Sequence, residues 1–367
     1  MNLLIYTRQE VIPSRGGIER VAKTLADAWA SEGHSVSFLC GDHPSADVRQ
    51  LLNDHQVQLI INHEGNDLAR TQVLYEAAQG LSIPLISLYH FSPTYSVDLF
   101  RASWIDLFHS GLSWGSILSV LMRNTSLYRR RQLRYFGHCN AQIYAMSDAV
   151  VLLSERQCAA YLQLAGITDA SRLHCIPNLL TLQPTDVQPK QKTVLYVARL
   201  TFAEKRPDLM LQIWAHVYRQ FPDWQLKVIG EGEYRKVMER RVATMGLEHI
   251  QFLGQVDAAN YYPEASIVCM TSNSEGFGLV LSEAAAHQAV PMCFDSFESA
   301  RDIIVDGETG YIVPTFEVVR YADRLARLMR DESLRKQMAT AACLHVNERF
   351  APKQILARGN QLFSKFL

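Results

Sequence analysis

Apolar residues along this chain gather in short runs, and between the runs they return every three or four positions. Short runs bounded by turn residues predict buried strands, and the intervening spacing predicts amphipathic helices. In the first half the runs are Leu3 to Thr7, Val36 to Cys40, Val57 to Ile61, Pro84 to Leu88 and Val150 to Leu153. Ile18, Val21, Ala22, Leu25 and Trp29 repeat at helical spacing between the first two, and Gly33 closes that helix. In the second half the runs are Val194 to Ala198, Gln225 to Ile229, Ile250 to Leu253, Ile267 to Thr271 and Val290 to Phe294. Alternation of this kind predicts parallel sheets wrapped by helices. The expected fold is therefore α/β, with two Rossmann-like doubly wound domains facing each other across an interdomain cleft.

A chain of 367 residues is too long for one ordinary core and suits two domains. Thr181 to Lys190, polar and carrying Pro184 and Pro189, suits the hinge. We expect an N-terminal domain over 1–183 and a C-terminal one over 190–350, with a helix over about 351–367 packing back on the first. Hydrophobic residues make up 48% and charged residues 20%, enough for two cores and unlike a disordered chain. The net charge of -1 argues against a surface devoted to nucleic acid. The 7 cysteines are scattered, with no Cys-x-x-Cys pair, which favours reduced thiols over disulfides or a zinc site. The first residues lack a secretory pattern and no apolar stretch is long enough to span a bilayer. The expected location is the cytoplasm, at the inner face of the membrane if there is membrane contact.

In doubly wound sheets ligands bind beyond the carboxyl ends of the strands, so the loops there carry the candidate chemistry. After Ile267 to Thr271 comes Ser274-Glu275-Gly276-Phe277-Gly278-Leu279-Val280-Leu281-Ser282-Glu283. The glycines let backbone approach a ligand, and a helix starting at Leu279 aims its free N–H groups at the same place, which suits a diphosphate. Glu275 and Glu283 can accept hydrogen bonds from sugar and ribose hydroxyls; the plainer alternative is a solvated Gly-rich turn. Arg199 and Lys205 follow the strand that ends at Ala198, and two cations there can neutralise a leaving diphosphate. Gly16 and Gly17 lie between the first strand and first helix, without the third glycine of a Gly-x-Gly-x-x-Gly fingerprint. His90 follows the strand Pro84 to Leu88.

Taken together, these positions resemble the retaining glycosyltransferases of family 4, with the B-type (GT-B) fold. The carrying motif is Glu-x7-Glu, present as Glu275 and Glu283 around Gly276-Phe277-Gly278. The resemblance implies that Glu275 binds donor-sugar hydroxyls and Glu283 the ribose. It also implies that Arg199 and Lys205 hold the diphosphate, with backbone at Gly17, Leu279 and Val280, and that His90 lies near the sugar. Gly230, in Val228-Ile229-Gly230-Glu231-Gly232, and Leu253, in Phe252-Leu253-Gly254, match loops bordering the base. The chain departs from the family pattern at Arg206 and at Leu179, where glycine is usual.

The resemblance further implies transfer of a hexosyl or N-acetylhexosaminyl group, UDP-linked in most of the family, with front-face attack and retention. The chain has no Asp-x-Asp, and Arg199, Lys205 and the helix N-terminus suffice for the leaving charge, so neither metal nor cofactor is expected. A nucleotide-sugar epimerase of similar fold and a non-catalytic nucleotide-sugar-binding scaffold are the alternatives. For the acceptor, the apolar stretch Trp104 to Met122 is followed by Arg123, Arg129, Arg130, Arg131 and Arg134. An apolar segment beside cations suits an anionic membrane surface and a lipid-linked saccharide acceptor in envelope or capsular polysaccharide synthesis. A helix core with a solvated arginine face, and a soluble acceptor, is the counterpart.

Overall fold

The computed structural model describes residues 1–13, 16–94, 125–182 and 188–366. The stretch Trp104 to Met122 and Arg123 lie outside the described residues. The chain divides into two compact units, one of Met1–Ile176 with Asn360–Leu367, the other of Pro177–Gly359.

The first unit is built on a parallel sheet of β1 (Asn2–Thr7), β2 (Ser35–Cys40), β3 (Leu59–Asn62), β4 (Leu85–Leu88), β5 (Ala149–Leu152) and β6 (Leu173–Cys175), in the order β2-β1-β3-β4-β5-β6. Its helices are α1 (Gly17–Ser31), α2 (Ser45–Asp54), α3 (Leu68–Ala78), α4 (Ser126–Met146) and α5 (Glu155–Ala165). β3, β4 and β5 are buried along their whole length, as parallel strands covered on both faces must be. Trp29 of α1 packs on Phe363, ring centres 5.2 Å apart, and Asn360 Nδ2 donates to Glu32 at 2.7 Å, which holds the C-terminal residues on this unit.

The second unit repeats the plan with β7 (Thr193–Val197), β8 (Gln225–Ile229), β9 (Ile250–Gly254), β10 (Ile267–Met270), β11 (Val290–Phe294) and β12 (Tyr311–Val313), in the order β12-β11-β10-β7-β8-β9. Its helices are α6 (Phe202–Lys205), α7 (Pro207–Val217), α8 (Arg235–Met245), α9 (Leu279–Ala286), α10 (Ala300–Ile303), α11 (Val318–Arg330), α12 (Glu332–Phe350) and α13 (Pro352–Phe363), the last ending in the first unit. Each predicted run is a strand to within two residues at either end. β6 and β12 were not among them: both are three residues long and stand at sheet edges, too short for an apolar run to register.

Strand order decides where a site can form. In the first sheet β2 lies on one side of β1, and the chain then crosses to β3 on the other; in the second, β8 and β9 extend one side of β7, and the chain returns to β10 on the other. Because such crossovers are right-handed, the flanking helices change face at these two points, and the loops after the parting strands splay to leave a crevice. The crevices lie at the exits of β1 and β3, and of β7 and β10.

Candidate functional site

In the second unit the β7 exit carries Arg199, α6 and Lys205, and the β10 exit carries the Glu275 loop and α9. The two exits are stitched together by backbone. Asn273 N–H donates to the Glu204 carbonyl at 2.6 Å. Tyr196 of β7 and Thr271 just after β10, both buried, donate to the Lys205 carbonyl at 2.8 and 3.0 Å, and Thr271 also reaches the Arg206 carbonyl at 2.9 Å. Lys205 is thus fixed by the two strands that frame the crevice. Its Nζ lies 2.7 Å from Glu275 Oε1, where Ser272 Oγ also donates at 2.6 Å. Two residues taken separately from the sequence, the lysine and the first glutamate of Glu-x7-Glu, are one ion pair. Arg199 is placed differently: 65% of its side chain is exposed, and it pairs with Glu204 at 3.0 Å.

Arg206 shows why glycine is usual at that position. Its backbone is left-handed (φ 46, ψ 52) at the turn between α6 and α7, with Pro207 opening α7. A side chain there costs about 1 kcal/mol or more. Here the guanidinium grips buried Asp208 through two hydrogen bonds of 3.0 and 3.1 Å and lies over the rings of Phe202 and Phe316, 5.1 and 5.0 Å from their centres. These contacts hold the same turn that glycine would allow freely. At the other departure, Leu179 and Leu180 are buried, and Leu180 N–H donates to the Phe350 carbonyl at 2.9 Å.

Gly278 caps α9 with φ 90, and a Cβ there would lie 3.2 Å from the Phe297 ring. Glycine therefore serves both the turn and the packing beneath it. Ser299 Oγ donates to the Gly276 and Phe277 carbonyls at 3.0 Å each, and the Phe277 ring is packed edge-on against Phe350. The loop is so anchored from below, while the first N–H groups of α9, from Leu279 and Val280 onward, point past its N-terminus. Glu283, one turn into α9, is 2% exposed. Thr181 Oγ1 donates to its Oε1 at 2.7 Å and Tyr262 OH to its Oε2 at 3.0 Å, so both oxygens are engaged by protein groups. Gly230 and Leu253 sit at the neighbouring β8 and β9 exits, where Gly230 N–H donates to the Gly254 carbonyl at 2.8 Å.

In the first unit Gly16 caps α1 and Gly17 is its first residue. His90 follows β4, buried, and its Nε2 lies 2.9 Å from Nδ1 of His63, which follows β3 and is also buried. Nothing in the spacing singles out His63, yet its place directly after a strand that borders the crevice was the signal. Gly65 brings the rings together: a Cβ there would lie 2.6 Å from the Leu88 nitrogen, so only glycine lets the β3 exit run this close to β4. Burial holds the His90 imidazole down to about 4, and burial together with His90 holds His63 well below the usual range. Both rings are neutral at neutral pH; one nitrogen of the shared bond carries the hydrogen and the other accepts it. His63 Nε2 is buried, with no hydrogen-bond partner among the described residues.

Four of the five arginines expected to meet an anionic surface lie on α4. Arg129, Arg130, Arg131 and Arg134 are all exposed, beside Leu127, which is 77% exposed, and exposed Tyr135. No helix among the described residues is long and apolar enough to cross a membrane.

Comparison with known proteins bears on the same residues. Residues 15–183 match the family described as Glycosyltransferase Family 4, and residues 181–344 match Glycosyl transferases group 1. The phosphatidyl-myo-inositol mannosyltransferase of Mycobacterium tuberculosis is 32% identical over 368 aligned positions, which span 89% of this chain and 87% of that protein. Among solved structures, Anabaena HepE in complex with UDP and glucose matches with a TM-score of 0.72 at 18% identity, covering 100% of both chains. S. aureus TarM in complex with UDP matches with a TM-score of 0.61 at 17% identity over 83% of this chain, and this chain spans only 55% of TarM's length. The two likenesses at low identity are of fold, two parallel doubly wound sheets of the GT-B kind. With sequence matches that run from residue 15 to residue 344 and take in the Lys205–Glu275 crevice, the chain belongs to the family 4, group 1 glycosyltransferases.

Proposed function

We propose that this glycosyltransferase takes a hexosyl or N-acetylhexosaminyl group from a UDP-linked donor and transfers it, with retention, to a lipid-linked saccharide in bacterial envelope or capsular polysaccharide synthesis. The observation that carries the reading is the convergence of Lys205, Glu275 and the α9 N-terminus at one switch point. Breaking the bond from anomeric carbon to phosphate leaves a dianionic diphosphate, and stabilising that charge is the main demand. Lys205 and the free N–H groups of α9 meet it without a metal ion at the reacting centre. Arg199, exposed and paired with Glu204, supplies a second cation for the diphosphate once it turns from that partner. Once Lys205 turns to phosphate, Glu275 is released to accept hydrogen bonds from donor-sugar hydroxyls. The neutral His63–His90 pair offers an uncharged imidazole in the first unit, suited to a sugar hydroxyl. HepE is described with UDP and glucose, which supports a UDP-linked donor, and the mycobacterial relative is named as a phosphatidyl-myo-inositol mannosyltransferase, which supports hexosyl transfer to a lipid. The cationic face of α4 suits an acceptor presented at an anionic membrane.

A thermal-shift screen of nucleotide sugars identifies the donor, since a ligand that binds only the folded chain raises its melting temperature. NMR of the product formed on a lipid-linked acceptor then reads the anomeric configuration. Retention with a UDP-sugar is the expected result; an inverted product, or an epimerised donor with no transfer, contradicts the proposal.

A further inference from the structure

Apart from the donor motif, two thiols and a carboxyl group able to ligate a cation meet at the carboxyl edge of the first sheet. Glu155 opens α5 and Cys158 follows three residues on, so they share one face a turn apart. Cys175 ends β6 in register with Leu152, the last residue of β5, and Ile176 N–H donates to the Leu152 carbonyl at 2.9 Å. α5 starts just beyond β5, its N-terminus capped by Ser154, so the β5 exit delivers the first turn of α5 to the end of β6. A Glu155 carboxylate oxygen and both sulfurs lie within 4.8 Å of one another, the one such group of three among the described residues. Both cysteines are free thiols and only partly buried.

The three groups are all acids. The Cys158 thiol, burial and the Glu155 carboxylate together push the Cys175 thiol up, which favours its protonated form. A divalent ion that prefers sulfur reverses that balance. Zinc takes thiolates at about 2.3 Å, and tetrahedral geometry then sets two sulfurs about 3.8 Å apart. Donors already within 4.8 Å reach that spacing by small side-chain rotations. The donor set is poor for magnesium or calcium, which take oxygen ligands.

We propose that Glu155, Cys158 and Cys175 form a binding site for one thiophilic divalent cation of the zinc class, with water in the fourth position. Binding exchanges two S–H bonds for two metal–sulfur bonds and releases both protons to solvent, with no change of oxidation state. The ion fastens β6, a three-residue strand paired with β5 at the edge of the sheet, to the start of α5.

Cobalt(II) is the probe, added to the full-length chain after chelator treatment and under a phosphine reductant. The expected result is a sulfur-to-cobalt charge-transfer band in the near ultraviolet that saturates at one ion per chain, with proton release and displacement by zinc. Cys158→Ser and Cys175→Ser each weaken binding by about a hundredfold, whereas Glu155→Gln, at an exposed position, keeps the band and weakens binding about tenfold. Cys343→Ser leaves the titration unchanged. A chain that shows no thiolate band at one equivalent of cobalt, or a band that survives loss of both Cys158 and Cys175, overturns the proposal.

Discussion

Arg206 is the residue at which the chain most plainly solves a local problem in its own way. It holds a left-handed backbone that glycine would adopt without strain, and its guanidinium is the partner of buried Asp208. Arg206→Gly relieves about 1 kcal/mol of strain but strands a buried carboxylate, which costs roughly 3 kcal/mol, so a net loss of about 2 kcal/mol is expected. Thermal unfolding checks the sign: a variant more stable than the parent contradicts the account, and adding Asp208→Asn to Arg206→Gly should recover part of the loss. The two glutamates of Glu-x7-Glu separate in the same way. Glu275 is partnered by Lys205, so Glu275→Ala frees the lysine for phosphate; turnover should fall by orders of magnitude while calorimetry shows UDP binding retained. Glu283 is buried between Thr181 and Tyr262, so Glu283→Ala should both weaken nucleotide binding and destabilise the unit by about 1–3 kcal/mol through the two hydrogen bonds lost. The reverse pattern exchanges the two roles.

At the scale of elements, the carboxyl ends of β3 and β4 carry the His63–His90 pair, and its burial makes stability depend on pH. His90 titrates at about 4 in the folded chain, and both imidazoles lie near 6.5 when unfolded. Between those values the unfolded chain binds more protons, so the pair's contribution is full above pH 6.5 and is lost as pH falls towards about 4. The melting temperature should drop over that window, and the drop should be shallower in a His63→Asn, His90→Asn double variant; equal slopes contradict the assignment. The elements themselves were largely legible in the sequence, because strands such as β10 and β11 are buried on both faces and read as unbroken apolar runs. β6 and β12 were not, since a three-residue edge strand draws its place from its neighbour and not from its own residues. The site was legible as a list of residues but not as an arrangement. Spacing placed Lys205 and Glu275 at two strand ends; only the strand order, with β7 beside β10, makes them partners. His63 was missed although it directly follows β3, because its pairing with His90 depends on β4 lying next to β3.

For the whole molecule, the proposal joins a donor site in the second unit to an acceptor met at a membrane. The exposed arginines of α4 carry the second half. Near an anionic surface each basic side chain contributes about 1 kcal/mol, so changing Arg129, Arg130 and Arg131 to Glu should weaken co-sedimentation with anionic liposomes by a hundredfold or more. Indifference to lipid charge in the parent chain points to a soluble acceptor. The donor half rests on Lys205 answering a diphosphate at the β7–β10 crevice, and isothermal titration calorimetry of UDP against the parent chain and Lys205→Ala tests it most directly. A charge-assisted contact to phosphate gives about 1.5–3 kcal/mol, so the account predicts UDP bound by the parent chain and roughly ten- to a hundredfold weaker binding in the variant. Equal affinity in the two proteins would contradict it.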